Sequence, residues 1–294
     1  AAFSIDDRRR IKGIFADIDD TITTRGRLTA DAYAALERLH QGGLMVVPIT
    51  GRPAGWCDHI ARMWPVDGVV GENGAFYFRY DHDKHKFQKR FLIADEERAA
   101  NREQYRTLAE DILRQVPGTA LASDQHYREA DLAIDYCEDV KRLDNAAINR
   151  IVELMQSQGM TAKISSVHVN GWFGDYDKLT MTRIMVDECF GIDLEVEKEF
   201  FVFVGDSPND QPMFRFFPHA VGVANIDSFA GSVMPPADCN IAVQNNLHCK
   251  TSKSWGEAET PPHSSDRLSG RVIQTGRERL SVANRHINVL QHDH

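Results

Sequence analysis

Ile14-Phe15-Ala16-Asp17-Ile18-Asp19-Asp20-Thr21 is the stretch from which the rest of the chain is read. The apolar run that leads into it, from Ile11 to Ala16, is broken only by Lys12 and Gly13. Such a run reads as a strand buried in a parallel sheet. Three aspartates and a threonine arrive together where it stops. In open α/β sheets, ligands bind in the crevice beyond the carboxyl ends of the strands. Asp17 and Asp19, two positions apart at a strand end, can turn both carboxylates to one side of the chain. Two crowded carboxylates repel, and without a cation one of them is forced towards its neutral form. That suits one to be a nucleophile or metal ligand and the other a proton carrier. An acidic turn, with Asp20 or Thr21 capping the next element, fits the same residues.

Composition sets outer limits on the reading. A chain of 294 residues can bury a good core and has room for two domains. Its hydrophobic fraction of 42% and charged fraction of 26% are those of a soluble globular protein. The net charge of −9 disfavours a nucleic-acid partner, because a polyanion is repelled except at local basic sites. Five cysteines are scattered without a Cys-x-x-Cys pair, and their number is odd. This predicts reduced thiols in a cytoplasmic protein rather than a disulfide framework or a zinc site. Arg8-Arg9-Arg10 has no apolar run behind it long enough for a secretion signal. No stretch approaches the ~20 apolar residues of a membrane span. No membrane partner is expected, and a monomer or weak homodimer is.

Beyond the acidic stretch, Thr29 is placed to cap a helix through His40, with Tyr33, Leu36 and Leu39 on one side. Leu44 to Ile49 reads as a second buried strand, followed by Thr50-Gly51-Arg52-Pro53. Pro53 suits the first turn of the next helix, whose Trp56, Ile60 and Met63 recur at helical spacing. Val66 to Val70 is a third strand, followed by Glu72-Asn73-Gly74-Ala75. Strand–helix–strand–helix–strand order predicts a parallel sheet with right-handed crossovers.

The pattern then changes. Phe76 to Tyr80 and Lys86 to Ile93 form a charged hairpin pattern. A polar helix from about Asp95 to Val116 carries Tyr105, Leu108, Ile112 and Val116 as its apolar stripe. A strand at Asp131 to Cys137, a helix capped by Asp144, and strands near Thr161 to Ser165 and Val167 to Trp172 come next. In the last of these Val167 and Val169 point one way, and Ser166, His168 and Asn170 the other. That polar face suits either substrate recognition or a solvated sheet surface. From Asp175 the first pattern resumes: Lys178 opens a helix to about Phe190, and Phe200 to Val204 is the most apolar strand. Gly205-Asp206-Ser207-Pro208-Asn209-Asp210 ends it. Short strands at Ala220 to Ala224 and Ile241 to Val243 are expected to complete the sheet. The fold class predicted is thus α/β: a doubly wound, Rossmann-like parallel sheet with an inserted α/β cap domain. Residues 1–92 and 172–244 make the core, 93–171 the cap, and 245–294 a polar tail expected to be poorly ordered.

Asp17/Asp19, Thr50, Lys178 and Asp206/Asp210 all stand at or just past strand ends or a helix start. Singly, Thr50 fits a helix cap, Lys178 a solvated charge and the two later aspartates loop acids. Together they stand in one order in one fold. Here the sequence resembles the haloacid dehalogenase superfamily of phosphotransferases. The resemblance lies in Asp-Ile-Asp-Asp-Thr after strand one, Ile-Thr-Gly-Arg after strand two, the lysine opening a helix, and Gly-Asp-Ser-Pro-Asn-Asp. An insertion between the threonine and lysine motifs, with Glu72-Asn73-Gly74-Ala75, is similar to subfamily IIB, whose C2-type cap is α/β. That branch holds sucrose-phosphate and trehalose-phosphate phosphatases, Cof-type phosphatases and phosphomannomutases. The resemblance runs from Ile11 to about Val243, and the chain departs from the family beyond that.

The resemblance implies a Mg²⁺-dependent phosphatase of a small phosphorylated metabolite, a sugar phosphate above all. Asp17 would attack phosphorus and form an aspartyl-phosphate, splitting one hard hydrolysis into two easier steps. Asp19 would protonate the leaving alcohol and then deprotonate water, a contribution of ~10²–10⁴-fold. Mg²⁺, which prefers hard oxygens, would be held by Asp17, the backbone carbonyl of Asp19, Asp206 and Asp210. Thr50, Gly51 and Lys178 would bind phosphoryl oxygens. Arg52 suits a substrate contact or a structural ion pair, and His168 and Asn170 are the candidates for substrate specificity. A phosphomannomutase-like transferase is the alternative, and a receiver-like signalling domain a remote one, since receivers lack an inserted cap.

Overall fold

The computed structural model describes residues 5–223. A short helix α1 (Ile5–Arg10) precedes strand β1 (Gly13–Ala16). Then come helix α2 (Ala30–Gln41), β2 (Met45–Pro48), α3 (Ala54–Met63) and β3 (Val69–Gly71). β4 (Phe76–Asp81) and β5 (Lys86–Phe91) form the hairpin. The inserted layer comprises α4 (Asp95–Gln115), β6 (Ala120–Leu121), β7 (Leu132–Asp135), α5 (Asn145–Ser157), β8 (Thr161–Ile164) and β9 (His168–Trp172). The chain returns with α6 (Lys178–Phe190), α7 (Leu194–Glu197), β10 (Phe201–Gly205), α8 (Gln211–Phe216) and β11 (His219–Gly222).

β1 is central because it carries no charge and pairs in parallel on both sides, Phe15 opposite Phe203 and Val47. The sheet order is β11-β10-β1-β2. A parallel bridge between Ile49 and Val70 leads on to the three-stranded sheet β3-β4-β5. The chain moves outward from β1 in one direction through β2 and later in the other through β10, so the strand order reverses at β1. That is where such sheets place their ligand crevice. Gly13 lets the three central strands come together: a Cβ there would lie 2.8 Å from the Phe201 ring and 2.9 Å from Met45 Cβ.

Period-two alternation divides the core into two faces. Ala16, Val46 and Val69 join Leu36 of α2 and Cys57 and Ile60 of α3. Phe15, Val47 and Val70 join Met181 and Met185 of α6 and Met213 and Phe214 of α8. Helices on both faces make the sheet doubly wound.

The inserted layer is an antiparallel sheet of order β6-β7-β9-β8. One face packs Ile134 and Val169 beneath Leu108 and Ile112 of α4 and Ile148 and Ile151 of α5. The other carries the pairs Ala133–Asn170 and Asp135–His168. His168 and Asn170 are buried, so this polar face is covered rather than solvated.

Two local readings need correction. In α3 the buried stripe is Ala54, Cys57, Ile60 and Ala61, while Trp56 and Met63 are 42% and 63% exposed. Small residues let the helix approach the sheet, and Trp56 instead lies under the Arg52 guanidinium, 4.4 Å from ring to cation. Tyr33 of α2 is likewise exposed, with its hydroxyl donating to the Met63 carbonyl. The elements α1, β6 and α7 are too short to leave an apolar period in the sequence. The predicted strand at 241–243 and the polar tail 245–294 lie outside the described residues. Cys57, Cys137 and Cys189 are free thiols. Among the described residues no helix is long and apolar enough to cross a membrane.

Candidate active site

Asp17 leaves β1 with its N–H still donating to the Val204 carbonyl at 2.9 Å, so strand pairing fixes its backbone. Its side chain is buried and meets Lys178, the first residue of α6. Asp177 caps that helix by accepting from the Thr180 N–H at 2.8 Å, which sets the direction of Lys178. Lys178 Nζ lies 2.8 Å from Asp17 Oδ1 and 2.7 Å from Asp210 Oδ1. Asp210 accepts the backbone N–H groups of Asp206 and Ser207 on its other oxygen, at 3.0 and 3.2 Å. Only glycine fits at 205, because a Cβ there would lie 2.6 Å from that oxygen.

Asp17, Asp206 and Asp210 each bring a carboxylate oxygen within 4.8 Å of the others, all buried. Burial pushes the Asp17 carboxyl up to about 7 against the pull of Lys178, with Asp210 and Asp19 adding to the rise. Asp206 is driven well above the carboxylate range, by burial first and then by Asp17 and Asp210. Burial alone would lower Lys178, but Asp17 and Asp210 outweigh it and keep the ammonium charged. One ammonium cannot neutralise three buried carboxylates. The remaining charge and the all-oxygen donor set fit a hard divalent cation such as Mg²⁺.

Asp17 to Thr21 turn sharply, with Asp20 at φ 56°. The turn is tied by the Asp20 N–H donating to Thr23 Oγ1 and by that hydroxyl donating to the Ile18 carbonyl. Asp19 faces Arg52, whose Nε and Nη2 meet its two oxygens at 2.8 Å each. The same guanidinium donates to Glu138 at 2.6 and 3.3 Å and to Asp124 at 3.4 Å. Burial would raise Glu138, but hydrogen bonds from His168 and Arg52 outweigh it and hold the carboxyl down at about 2. His168 Nε2 lies 2.8 Å from Glu138 Oε2.

Thr50 is fully buried, and its hydroxyl accepts the Arg52 N–H at 3.0 Å. The Gly51 carbonyl accepts from Arg128 at 2.9 Å. Asn170 donates to Asp131, which Arg128 also holds. Asp17, Asp19, Gly51, Arg52, His168 and Asn170 thus line one cavity between strand ends and inserted layer. Its volume is about 10 Å³, room for little more than a water molecule.

Glu138 left no signal in the sequence, and Glu72, Asn73 and Asn209 stood there only as members of motifs, without a role of their own. Glu138 is presented by a loop in which Asp135 accepts the N–H groups of Cys137, Glu138 and Asp139. Glu72 accepts the N–H groups of Ala54, Glu129 and Ala130 and so pins the inserted layer to the core. Asn209 donates to Asn73 at 2.9 Å, joining the loops after β10 and β3.

A sequence model described as haloacid dehalogenase-like hydrolase matches residues 14–101. A phosphoglycolate phosphatase of Archaeoglobus fulgidus is 26% identical over 234 residues, covering 77% of this chain and 92% of that protein. Among solved structures, a Thermoplasma acidophilum protein superposes with a TM-score of 0.56 at 19% identity, covering 76% of this chain and 89% of its own. The sucrose-phosphatase of Synechocystis superposes with a TM-score of 0.51 at 16% identity, covering 73% and 84% respectively.

Proposed function

We propose, from the premise that this chain belongs to the haloacid dehalogenase-like hydrolases, that its phosphatase site works through an aspartyl-phosphate on Asp17. The observation that carries this is Asp17 itself, buried at the end of the central strand with Lys178 on one oxygen and two further carboxylates beside it. Asp17 attacks phosphorus in line with the leaving oxygen. Lys178 orients the attacking carboxylate and offsets charge on the transferring group. Thr50 and Gly51 supply hydrogen bonds to phosphoryl oxygens. Asp19 gives a proton to the leaving oxygen and recovers one from the water that hydrolyses the intermediate. Mg²⁺, held by Asp17, Asp206, Asp210 and the Asp19 carbonyl, would offset the repulsion between an anionic nucleophile and an anionic phosphate.

The substrate is a small phosphorylated metabolite of the cytoplasm, and a sugar phosphate suits the polar face of His168 and Asn170. A second reading, in which the leaving group has only two or three carbons, is supported by the similarity to a phosphoglycolate phosphatase, 26% identical over 234 residues. Phosphate release across a panel of hexose phosphates, triose phosphates and phosphoglycolate separates the two. The expected result is inorganic phosphate from at least one, abolished by chelator. Isomerisation of a hexose phosphate that needs a bisphosphate and releases no phosphate would instead make the protein a mutase.

A further inference from the structure

A second cleft, of about 420 Å³, shares no lining residue with the catalytic cavity. Small-molecule sites run to ~300–1,000 Å³, so this volume suits a ligand where the catalytic cavity has room for little more than water. The core contributes Gly55 and Asp58 from α3 and Phe78, Lys89 and Phe91 from the β4–β5 hairpin. The inserted layer contributes Arg98 from α4 and Tyr127 and Glu129 from the loop between β6 and β7. The two sides are held in register. Glu72 accepts the N–H groups of both Ala54 and Glu129, at 2.9 Å each. Gly55 lets the Tyr127 loop close on α3, because a Cβ there would lie 2.9 Å from Tyr127 Cβ.

The lining combines aromatic surface with cations whose pairing is incomplete. Phe78 and Phe91 pack edge to face at 5.7 Å, and the Tyr127 ring is half-exposed. Arg98 is 7% exposed, with its guanidinium 3.7 Å over the Phe91 ring and Nη1 donating to the Ile93 carbonyl at 2.8 Å. Its Nε has no hydrogen-bond partner among the described residues. A buried donor left unpaired costs stability, and an acceptor brought by a ligand recovers it. The one carboxylate on Arg98, Asp95, is exposed, and exposed pairs compensate charge weakly. Lys89, half-exposed, lies 3.3 Å from Asp58 and 4.9 Å over the Phe78 ring. Arg62 also holds Asp58, at 2.7 Å, so Lys89 can turn to another acceptor without leaving that carboxylate unpaired. Glu129 is engaged by Arg102 at 3.0 Å. We propose that this cleft is a second binding site, for a small organic anion that bears a carboxylate on an aromatic ring. The carboxylate accepts from Arg98 and Lys89, one donor to each oxygen, and the ring lies against Phe91 and Tyr127. Both acids of the lining are ion-paired, so the site binds rather than reacts. Its occupant touches core and inserted layer together, and the assignment stands apart from the phosphatase reading.

Calorimetric titration of the full chain with 2-naphthoate tests this, beside 2-naphthamide, which keeps the ring without the charge, and acetate, which keeps the charge without the ring. One 2-naphthoate should bind per chain, and 2-naphthamide and acetate should each bind at least about tenfold more weakly. Lys89→Ala and Tyr127→Ala change half-exposed side chains and should each weaken 2-naphthoate by about 3–30-fold with the melting temperature little changed. Arg98→Lys keeps the charge, removes Nε, and should weaken it by a similar factor; if that variant does not fold, the other two decide. Inorganic phosphate, which suits the catalytic cavity, should not displace 2-naphthoate, and His168→Ala should leave its affinity unchanged. No heat at millimolar 2-naphthoate, equal affinity for 2-naphthamide, or affinity unchanged in both Lys89→Ala and Tyr127→Ala would overturn the proposal. Displacement by phosphate, or loss of binding in His168→Ala, would place the anion in the catalytic cavity and overturn it too.

Discussion

Asp17 combines burial, strand pairing and a lysine contact on one oxygen. Its carboxyl is pushed up from 3.8 to about 7, so folding opposes ionisation of this group when no cation is present. The unfolded chain loses this proton at lower pH than the folded one, and stability therefore falls as pH rises from about 4 to about 7. Asp17→Asn keeps the shape, removes the charge and relieves the repulsion from Asp206 and Asp210. The variant is therefore expected to fold, to melt no lower than wild type in chelator at neutral pH, and to release no phosphate. A variant that keeps about a tenth of wild-type turnover would sink the nucleophile assignment, since loss of an attacking group costs far more. Far-ultraviolet circular dichroism on the same sample separates lost chemistry from lost fold.

At the scale of elements, what the sequence discloses depends on how many partners an element needs. β1 and β10 are legible because both faces of each are buried, and that burial writes an apolar run, unbroken over Phe200 to Val204 and interrupted only by Lys12 and Gly13 ahead of Ile14. The motif residues at their ends are legible for the same reason, since the end of such a run is visible. The α3 stripe is not, because its packing uses Ala54, Cys57 and Ala61 while Trp56 serves Arg52 instead. The Arg52 network is hidden for another reason: its acids lie 33, 72 and 86 residues away in the chain, on loops whose meeting depends on the whole fold. β9 lies between these cases. Alternation shows that His168 and Asn170 share a face, and only the core beneath them shows that the face is buried. Because both line the cavity, His168→Ala and Asn170→Ala should each weaken kcat/KM for the natural substrate by ~1–3 kcal/mol, the cost of an unpaired partner. Hydrolysis of acetyl phosphate, whose leaving group is too small to need them, should barely change. Lys178→Ala should damage both reactions. Equal losses on the two substrates from the His168 and Asn170 variants would show that this face does not choose the substrate.

For the whole molecule, the site is a place where charge is gathered against the tendency of the fold. Asp17, Asp206 and Asp210 arrive from β1 and from the loop after β10, strands that pair side by side. The sheet that joins these strands therefore also forces three carboxylates together. Lys178 offsets part of the repulsion, and the rest remains as a cost to the folded state that the unfolded chain does not bear. A divalent cation removes that cost only where the three oxygens are already assembled, so it should bind the folded protein far better than the unfolded one. Preferential binding of this kind raises stability by mass action, by about 2.7 kcal/mol at ~100 times the dissociation constant. Millimolar Mg²⁺ is accordingly expected to raise the melting temperature, and chelator to reverse both the rise and the activity. Asp206→Asn should reduce the shift, because it removes a ligand, while raising the melting temperature in chelator, because it removes a repelling charge. The opposite signs in the two buffers distinguish a metal centre from a merely acidic pocket. A melting temperature indifferent to Mg²⁺ in wild type, together with activity unaffected by chelator, would show that the cluster holds no metal and that Lys178 alone balances Asp17.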